Sequence, residues 1–229
     1  MCKMLNVNYS QFCVIFDMDG VLADTGPIHF KSWVKLVKEI GVEFTREFFE
    51  KTFGQQSTTI IHKLVGQEVD EFLIIKWGNL KESYYREMVK DKLEPLPGAL
   101  DIIKDLKSEG FKLAIGSSGP PDNVELLLTS LKIKKYFDVI ITAAEVKKGK
   151  PEPDVFLIVS NNLNINPKKC IVIEDAPVGI EAAKRAGMRA VALTTTHNKE
   201  ELRDANLIVS DLSNVSVNDI KKLLGIEIK

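Results

Sequence analysis

The sequence predicts an α/β protein: a parallel sheet covered by helices on both faces, with a block of further helices inserted early in the chain. Three observations carry this. Short runs that are apolar at nearly every position recur along the chain, as strands buried on both faces require. Stretches of helical period lie between them, opened by proline or aspartate and closed by glycine. From about Thr25 to Glu94 the alternation stops and only helical period remains. Strands alternating with helices wind into a Rossmann-like, doubly wound sheet.

The elements follow in order. Phe12–Phe16, Lys112–Gly116, Asp138–Thr142, Cys170–Glu174, Ala190–Thr194 and Leu207–Ser210 read as buried strands. Ala99–Glu109 reads as a helix following Pro97-Gly98 and closed by Gly110. Pro121–Leu131 opens with Pro and Asp, and Pro177–Ala186 is closed by Gly187. In the insert, one apolar phase comprises Trp33, Leu36, Val37 and Ile40, and further runs hold Phe48-Phe49 and Ile60-Ile61-Leu64. The longest carries Phe72, Ile75, Leu80, Tyr84 and Met88. Thr25-Gly26-Pro27 and Pro95-Leu96-Pro97-Gly98 flank it like two hinges. Residues 1–24 and 96–229 are thus expected to form the sheet core, and 25–95 a helical cap.

Bulk properties exclude several classes. With 229 residues, 45 % hydrophobic and 28 % charged, the chain has ordinary globular composition. A formal net charge of −1 and 7 % aromatic residues offer neither a nucleic-acid footprint nor base-stacking platforms. No segment approaches the roughly 20 unbroken apolar residues of a membrane span. Met1–Gln11 lacks an apolar signal core. Cys2, Cys13 and Cys170 have no metal-ligand spacing, and the last two lie within apolar runs as buried thiols. A cytoplasmic, monomeric protein is expected.

In an open parallel sheet, ligands bind beyond the carboxyl ends of the strands. There the polar residues collect: Asp17 and Asp19 after the first strand, and Ser117 and Ser118 after the second. Lys150 follows the third, and Glu174 and Asp175 the fourth. Carboxylates converging on one crevice need a cation, and an all-oxygen donor set favours Mg²⁺. Asp17 and Asp19, two apart on extended backbone, point the same way. One can attack phosphorus while the other protonates the leaving oxygen; Gly20 lets the chain turn close by. Read alone, Asp-x-Asp-Gly serves equally as a turn after a strand, and Glu174-Asp175 as an acidic helix start. Lys150, fixed by the prolines of Lys150-Pro151-Glu152-Pro153, can bridge a phosphoryl oxygen and Asp17.

Taken in this order, Asp17-x-Asp19-Gly20, Ser117, Lys150-Pro-x-Pro and Glu174-Asp175 resemble the four motifs of the haloacid dehalogenase superfamily of phosphotransferases, from Phe12 to about Thr195. Phe-Asp-Met-Asp-Gly-Val and Ile-Glu-Asp-Ala-Pro-x-Gly-Ile look like the branch that holds β-phosphoglucomutase and small-molecule phosphatases. The resemblance implies Asp17 as nucleophile and Mg²⁺ ligand, and Asp19 as acid/base with its backbone carbonyl on Mg²⁺. Ser117, with Ser118 beside it, is implied at the phosphoryl group, Lys150 as its charge balance, and Asp175 as a direct ligand. Glu174 is implied as a ligand or as the holder of a ligating water. His29, on the first cap helix, matches a residue coupling lid closure to acid/base alignment. The second aspartate disfavours dehalogenation, which attacks carbon without a metal.

Mutases of that branch carry a cap-loop Lys-Gly pair with an Arg soon after. Here Gly54 remains, but Phe53 and Ser57 stand near the cationic positions. Each lost charge-assisted bond is worth roughly 1.5–3 kcal/mol. Gln55, Gln56, Ser57 and Thr58 suit a neutral, hydrogen-bonding leaving group better than a second phosphate, and serve equally as a simple loop and a helix N-cap; Gly54 and Gln55 are the candidate substrate contacts among them. Lys81, which matches another cap lysine of the branch, reads from its helix as a solvated surface residue. The expectation is a phosphatase for a small phosphate monoester, with β-phosphoglucomutase as the alternative and a non-catalytic binding module as the remote one.

Overall fold

The computed structural model describes residues 7–66, 68–90 and 92–227; Cys2 lies outside them. After β1 (Cys13–Phe16) come four helices, α1 (Gly26–Ile40), α2 (Arg46–Thr52), α3 (Ser57–Val65) and α4 (Glu71–Val89). The chain then alternates through α5 (Ala99–Ser108), β2 (Lys112–Gly116), α6 (Pro121–Ser130), β3 (Val139–Ile141) and α7 (Asp154–Leu163). It finishes with β4 (Cys170–Glu174), α8 (Pro177–Arg185), β5 (Arg189–Leu193), β6 (Leu207–Val209) and α9 (Val217–Leu223). The expected strands are all present, within two residues at each end. Helices α7 and α9 were not among the expected elements.

The six strands are parallel in the order β3-β2-β1-β4-β5-β6, so the sheet is doubly wound as the alternation predicts. Chain direction across the sheet reverses between β1 and β4, which is where such folds open a crevice. Side chains of β1 alternate between two cores. Val14 and Phe16 pack with α5, α6 and α9, and Cys13 and Ile15 with α7 and α8. Cys13 and Cys170 are fully buried free thiols, as their apolar runs predict.

The inserted helices have their own core of Trp33, Leu36, Phe49, Phe53, Ile60, Ile61 and Ile74. On α4 the buried face differs from the one expected. Phe72 is 71 % exposed and Ile75 48 %, while Ile74, Gly78, Lys81, Glu82, Tyr85 and Val89 are buried. Two charged residues in the middle of the true buried stripe disguise its period. Lys81, expected in solvent, is only 2 % exposed. The two ends of the insert are tied to each other: Ala23 bridges both Asp19 and Pro95, and Leu96 N–H donates to Leu22 O at 2.9 Å. Among the described residues, no helix is long and apolar enough to cross a membrane.

Candidate active site

Parallel pairing sets the first carboxylates side by side. Phe16 is in register with Ile173, and Asp17 N–H donates to Ile173 O at 2.9 Å. Asp17 and Glu174 therefore leave the sheet together at the reversal point. Asp17, Glu174 and Asp175 are buried, with carboxylate oxygens within 4.8 Å of one another. Lys150, buried in the loop after β3, donates to Asp17 Oδ1 at 2.5 Å and Glu174 Oε1 at 2.7 Å. Glu174 Oε2 accepts the N–H groups of Asp175 and Ala176 at 2.7 and 2.8 Å.

Two glycines make room for this packing. A Cβ on Gly179, in the first turn of α8, would overlap the Glu174 carboxylate. Gly20, at φ +74°, lies so close to Asp175 that a Cβ there would overlap its carboxylate. The glycine of Asp-x-Asp-Gly thus serves both the turn and the close approach of two loops. The Thr196 hydroxyl donates to Asp175 Oδ2. No hydrogen bond among the described residues reaches Asp17 Oδ2 or Asp175 Oδ1.

The buried carboxylates outnumber the one ammonium among them. Burial raises Asp17 to about 7; the Lys150 ammonium opposes this, and Glu174 and Asp19 add to it. Burial, followed by repulsion from Glu174 and Asp17, holds Asp175 well above the usual carboxylate range. Lys150 is disfavoured by burial, yet Asp17 and Glu174 more than compensate and keep it firmly protonated.

Asp19 has different surroundings. Its Oδ1 accepts from Thr25 Oγ1 at 2.5 Å and lies 3.2 Å from His29 Nε2. The other His29 nitrogen, Nδ1, lies 2.7 Å from Lys81 Nζ. An ammonium only donates, so Nδ1 is the acceptor and Nε2 carries the hydrogen toward Asp19. The ring stacks on Tyr85 with centroids 3.9 Å apart. Burial pushes Asp19 up, but His29, the Thr25 hydroxyl and the Lys81 charge hold it below its ordinary value. Two carboxyls two residues apart are thus driven in opposite directions.

The network extends further than the sequence suggested. Lys81 Nζ donates to Glu82 Oε1 at 3.0 Å. The Ser57 hydroxyl donates to the same oxygen, and Asn123 Nδ2 donates to Glu82 Oε2 at 2.6 Å. Glu82 and Asn123 escaped the sequence reading. Only the phase shared by Lys81-Glu82 with Ile74, Gly78, Tyr85 and Val89 signals Glu82, and nothing local signals Asn123.

Asp17, Asp19, His29, Gly54, Gln55 and Ser118 line one crevice, together with Phe53, Ser57, Lys81 and Glu82. Its volume is about 40 Å³, room for roughly three waters. Ser117 lies behind it; its Oγ accepts Gly119 N–H at 3.0 Å, and its hydrogen has no acceptor among the described residues. Glu174 stands below the crevice with both oxygens engaged. The Asp19 carboxyl is outside the acidic cluster; the expectation for Asp19 at a metal concerned its backbone carbonyl. Gln55 Oε1 accepts from Lys63 at 2.6 Å, at the exposed side.

The family model described as "Haloacid dehalogenase-like hydrolase" matches residues 14–193. The chain belongs to this family. Among its relatives, the validoxylamine A 7′-phosphate phosphatase of Streptomyces hygroscopicus is 33 % identical, over 88 % of this chain and 94 % of its own. A phosphorylated carbohydrates phosphatase of Thermotoga maritima is 34 % identical over 78 % and 82 %. The crystal structure of β-phosphoglucomutase from Clostridium difficile superposes with a TM-score of 0.86 at 30 % identity, covering 93 % of this chain and 96 % of that one. As a dehalogenase-like hydrolase, the chain has relatives in both reaction classes that its motifs suggest.

Proposed function

We propose that the chain is a Mg²⁺-dependent phosphatase that hydrolyses a small phosphate monoester through an aspartyl-phosphate on Asp17. The observation that carries this is the opposed treatment of two neighbouring carboxyls. Asp17 is held by Lys150 among excess negative charge, and Asp19 is held apart from it by Thr25 and His29. That pairing separates a nucleophile from a proton-transfer group.

The donor set fits Mg²⁺. Asp17 Oδ2 and Asp175 Oδ1 accept no hydrogen bond among the described residues, burial and then neighbouring carboxylates raise both carboxyls, and the oxygens are hard. Asp17, Asp175 and the Asp19 backbone carbonyl would hold the ion, while Glu174, fully engaged, would fix Lys150 and the loop. When bound, Mg²⁺ neutralises phosphoryl oxygens and lets an anionic carboxylate approach them.

In the first half-reaction Asp17 attacks phosphorus, the ester P–O bond breaks, and the departing alkoxide takes a proton from Asp19. In the second, Asp19 takes a proton from water, whose oxygen attacks phosphorus and releases Asp17. Asp19 starts with its charge stabilised, so it is suited to the second step as it stands. For the first it must be loaded with a proton from solvent; the neutral His29, whose Nε2–H contacts Asp19 Oδ1, orients that carboxyl rather than supplying the proton. Lys150 and the free Ser117 hydroxyl stabilise the phosphoryl oxygens. Residues 25–95 act as a cap over the core formed by 1–24 and 96–229, with His29, Gly54 and Gln55 facing the substrate from the cap side. A crevice of 40 Å³ takes the phosphoryl group but not the rest of an ester.

The test is a panel of phosphate esters that includes β-glucose 1-phosphate, with Mg²⁺ or EDTA. Mg²⁺-dependent phosphate release without glucose 6-phosphate is expected. Glucose 6-phosphate formed without net phosphate would replace the phosphatase reading by a mutase.

Proton competition at the cluster gives a second expectation. A buried acid raised to about 7 holds a proton in the folded state at pH values where the unfolded chain has lost it. Metal-free stability therefore falls as pH rises from the ordinary carboxylate range through about 7. Mg²⁺ needs the anions and competes with those protons. The rise in Tm on adding Mg²⁺ should be larger at pH 8 than at pH 5.5, by differential scanning fluorimetry. An equal rise at both would remove Asp17 from the metal site.

A further inference from the structure

A second chamber adjoins the crevice above Asp17. It has a volume of about 270 Å³, close to the lower end of the range for small-molecule sites. Ser57, Glu82 and Ser118 line both spaces, so the chamber opens directly onto the place where the phosphoryl group would sit. Its polar lining is supplied by Gln56, Ser57, Thr58, Asn79, Glu82 and Ser118. Among the described residues, no lysine, arginine or histidine lines it.

Glu82 is the one charge on its wall. A carboxylate offers about four acceptor positions. Ser57 and Lys81 occupy Oε1 and Asn123 occupies one position on Oε2, so one on Oε2 is left. Burial disfavours the anion, but Lys81, His29 and Ser57 hold it ionised. An ionised carboxylate accepts hydrogen bonds and repels anions, and Lys81, the nearest cation, is already shared between Glu82 and His29.

We propose that this chamber holds the leaving group, and that Glu82 selects an uncharged, hydroxyl-bearing one while rejecting esters that carry a second phosphate. This rests on the phosphatase reading. Ser57, Gln56 and Asn79 supply further neutral hydrogen-bonding groups for the hydroxyls, and Pro120, Pro121, Ile75 and Ala143 give the apolar walls against the carbon skeleton.

The experiment compares kcat/KM for two matched pairs, glucose 6-phosphate with glucose 1,6-bisphosphate and fructose 1-phosphate with fructose 1,6-bisphosphate. p-Nitrophenyl phosphate reports the chemistry alone. The native chain is expected to favour the monophosphate at least tenfold in one pair or both. Glu82→Gln removes the repelling charge, and Asn79→Lys, at an exposed position on the chamber rim, adds a cation without touching the buried network. Each variant should narrow the monophosphate preference about tenfold, a ratio that a general loss of activity leaves unmoved. Hydrolysis of p-nitrophenyl phosphate without discrimination in either pair overturns the inference and leaves the phosphatase reading standing. Variants that keep the native ratio overturn it equally. Hydrolysis of no ester at all removes both.

Discussion

Asp17→Asn is expected to abolish phosphate release, lowering kcat/KM by at least about 10³-fold, the scale seen when a covalent nucleophile is removed. The substitution keeps the shape of the side chain and an oxygen for Lys150, 2.5 Å from Oδ1 in the native protein. It also removes one of three crowded carboxylates, the one that burial raises to about 7. The metal-free variant should therefore be at least as stable as its parent above pH 7, so that lost activity accompanies retained or improved stability. Rates measured beside thermal denaturation curves read both. Phosphate release within tenfold of the parent would dismiss Asp17 as nucleophile. A variant and a parent equally inert toward every ester would favour a non-catalytic module.

Lys150→Met should damage both stability and chemistry. Lys150 is the cation between Asp17 and Glu174, and all three are buried. Removing one partner of such a group leaves charge uncompensated, a loss of about 3–5 kcal/mol. Removing a donor to the phosphoryl oxygens lowers kcat by about 10²–10³-fold. Urea midpoints and Mg²⁺ titrations of rate separate the two: excess Mg²⁺ should restore much of the stability and little of the rate. Full recovery of rate at high Mg²⁺ would reduce Lys150 to a structural counter-ion.

Much of this site is legible in sequence because the sheet is parallel and its chemistry sits at strand ends. Once the apolar runs are found, Asp17, Ser117, Lys150 and Glu174-Asp175 fall on one edge, whatever the details of packing. The inserted helices are less transparent. On α4 the sequence favours a face containing Phe72 and Ile75, two large apolar residues that the fold leaves exposed. The buried face carries Lys81 and Glu82, which are stable there because His29, Ser57 and Asn123 satisfy them from three other segments. Those partners are distant in sequence, and no local pattern announces them. Glu174 is a milder case: its place in the acidic pair is evident, but its engagement by Lys150 and two backbone N–H groups depends on the start of α8 and on Gly179.

The tie between the two ends of the inserted helices also bears on the order in which the protein assembles. Strands β1 and β2 pair directly, Cys13 with Lys112, although the whole insert separates them. Closing a flexible loop of that length carries an entropy cost that grows with the logarithm of its span. A folded insert whose ends meet at Ala23 and Pro95 removes most of the span and lowers the cost by about 1 kcal/mol. No such shortcut joins β1 to β4, where Cys13 meets Cys170. Contacts between Asp17 and the Glu174-Asp175 pair therefore belong to the late, long-range stage of folding. Partly folded chains would carry a formed helical insert and β1–β2 pair before they possess a catalytic centre.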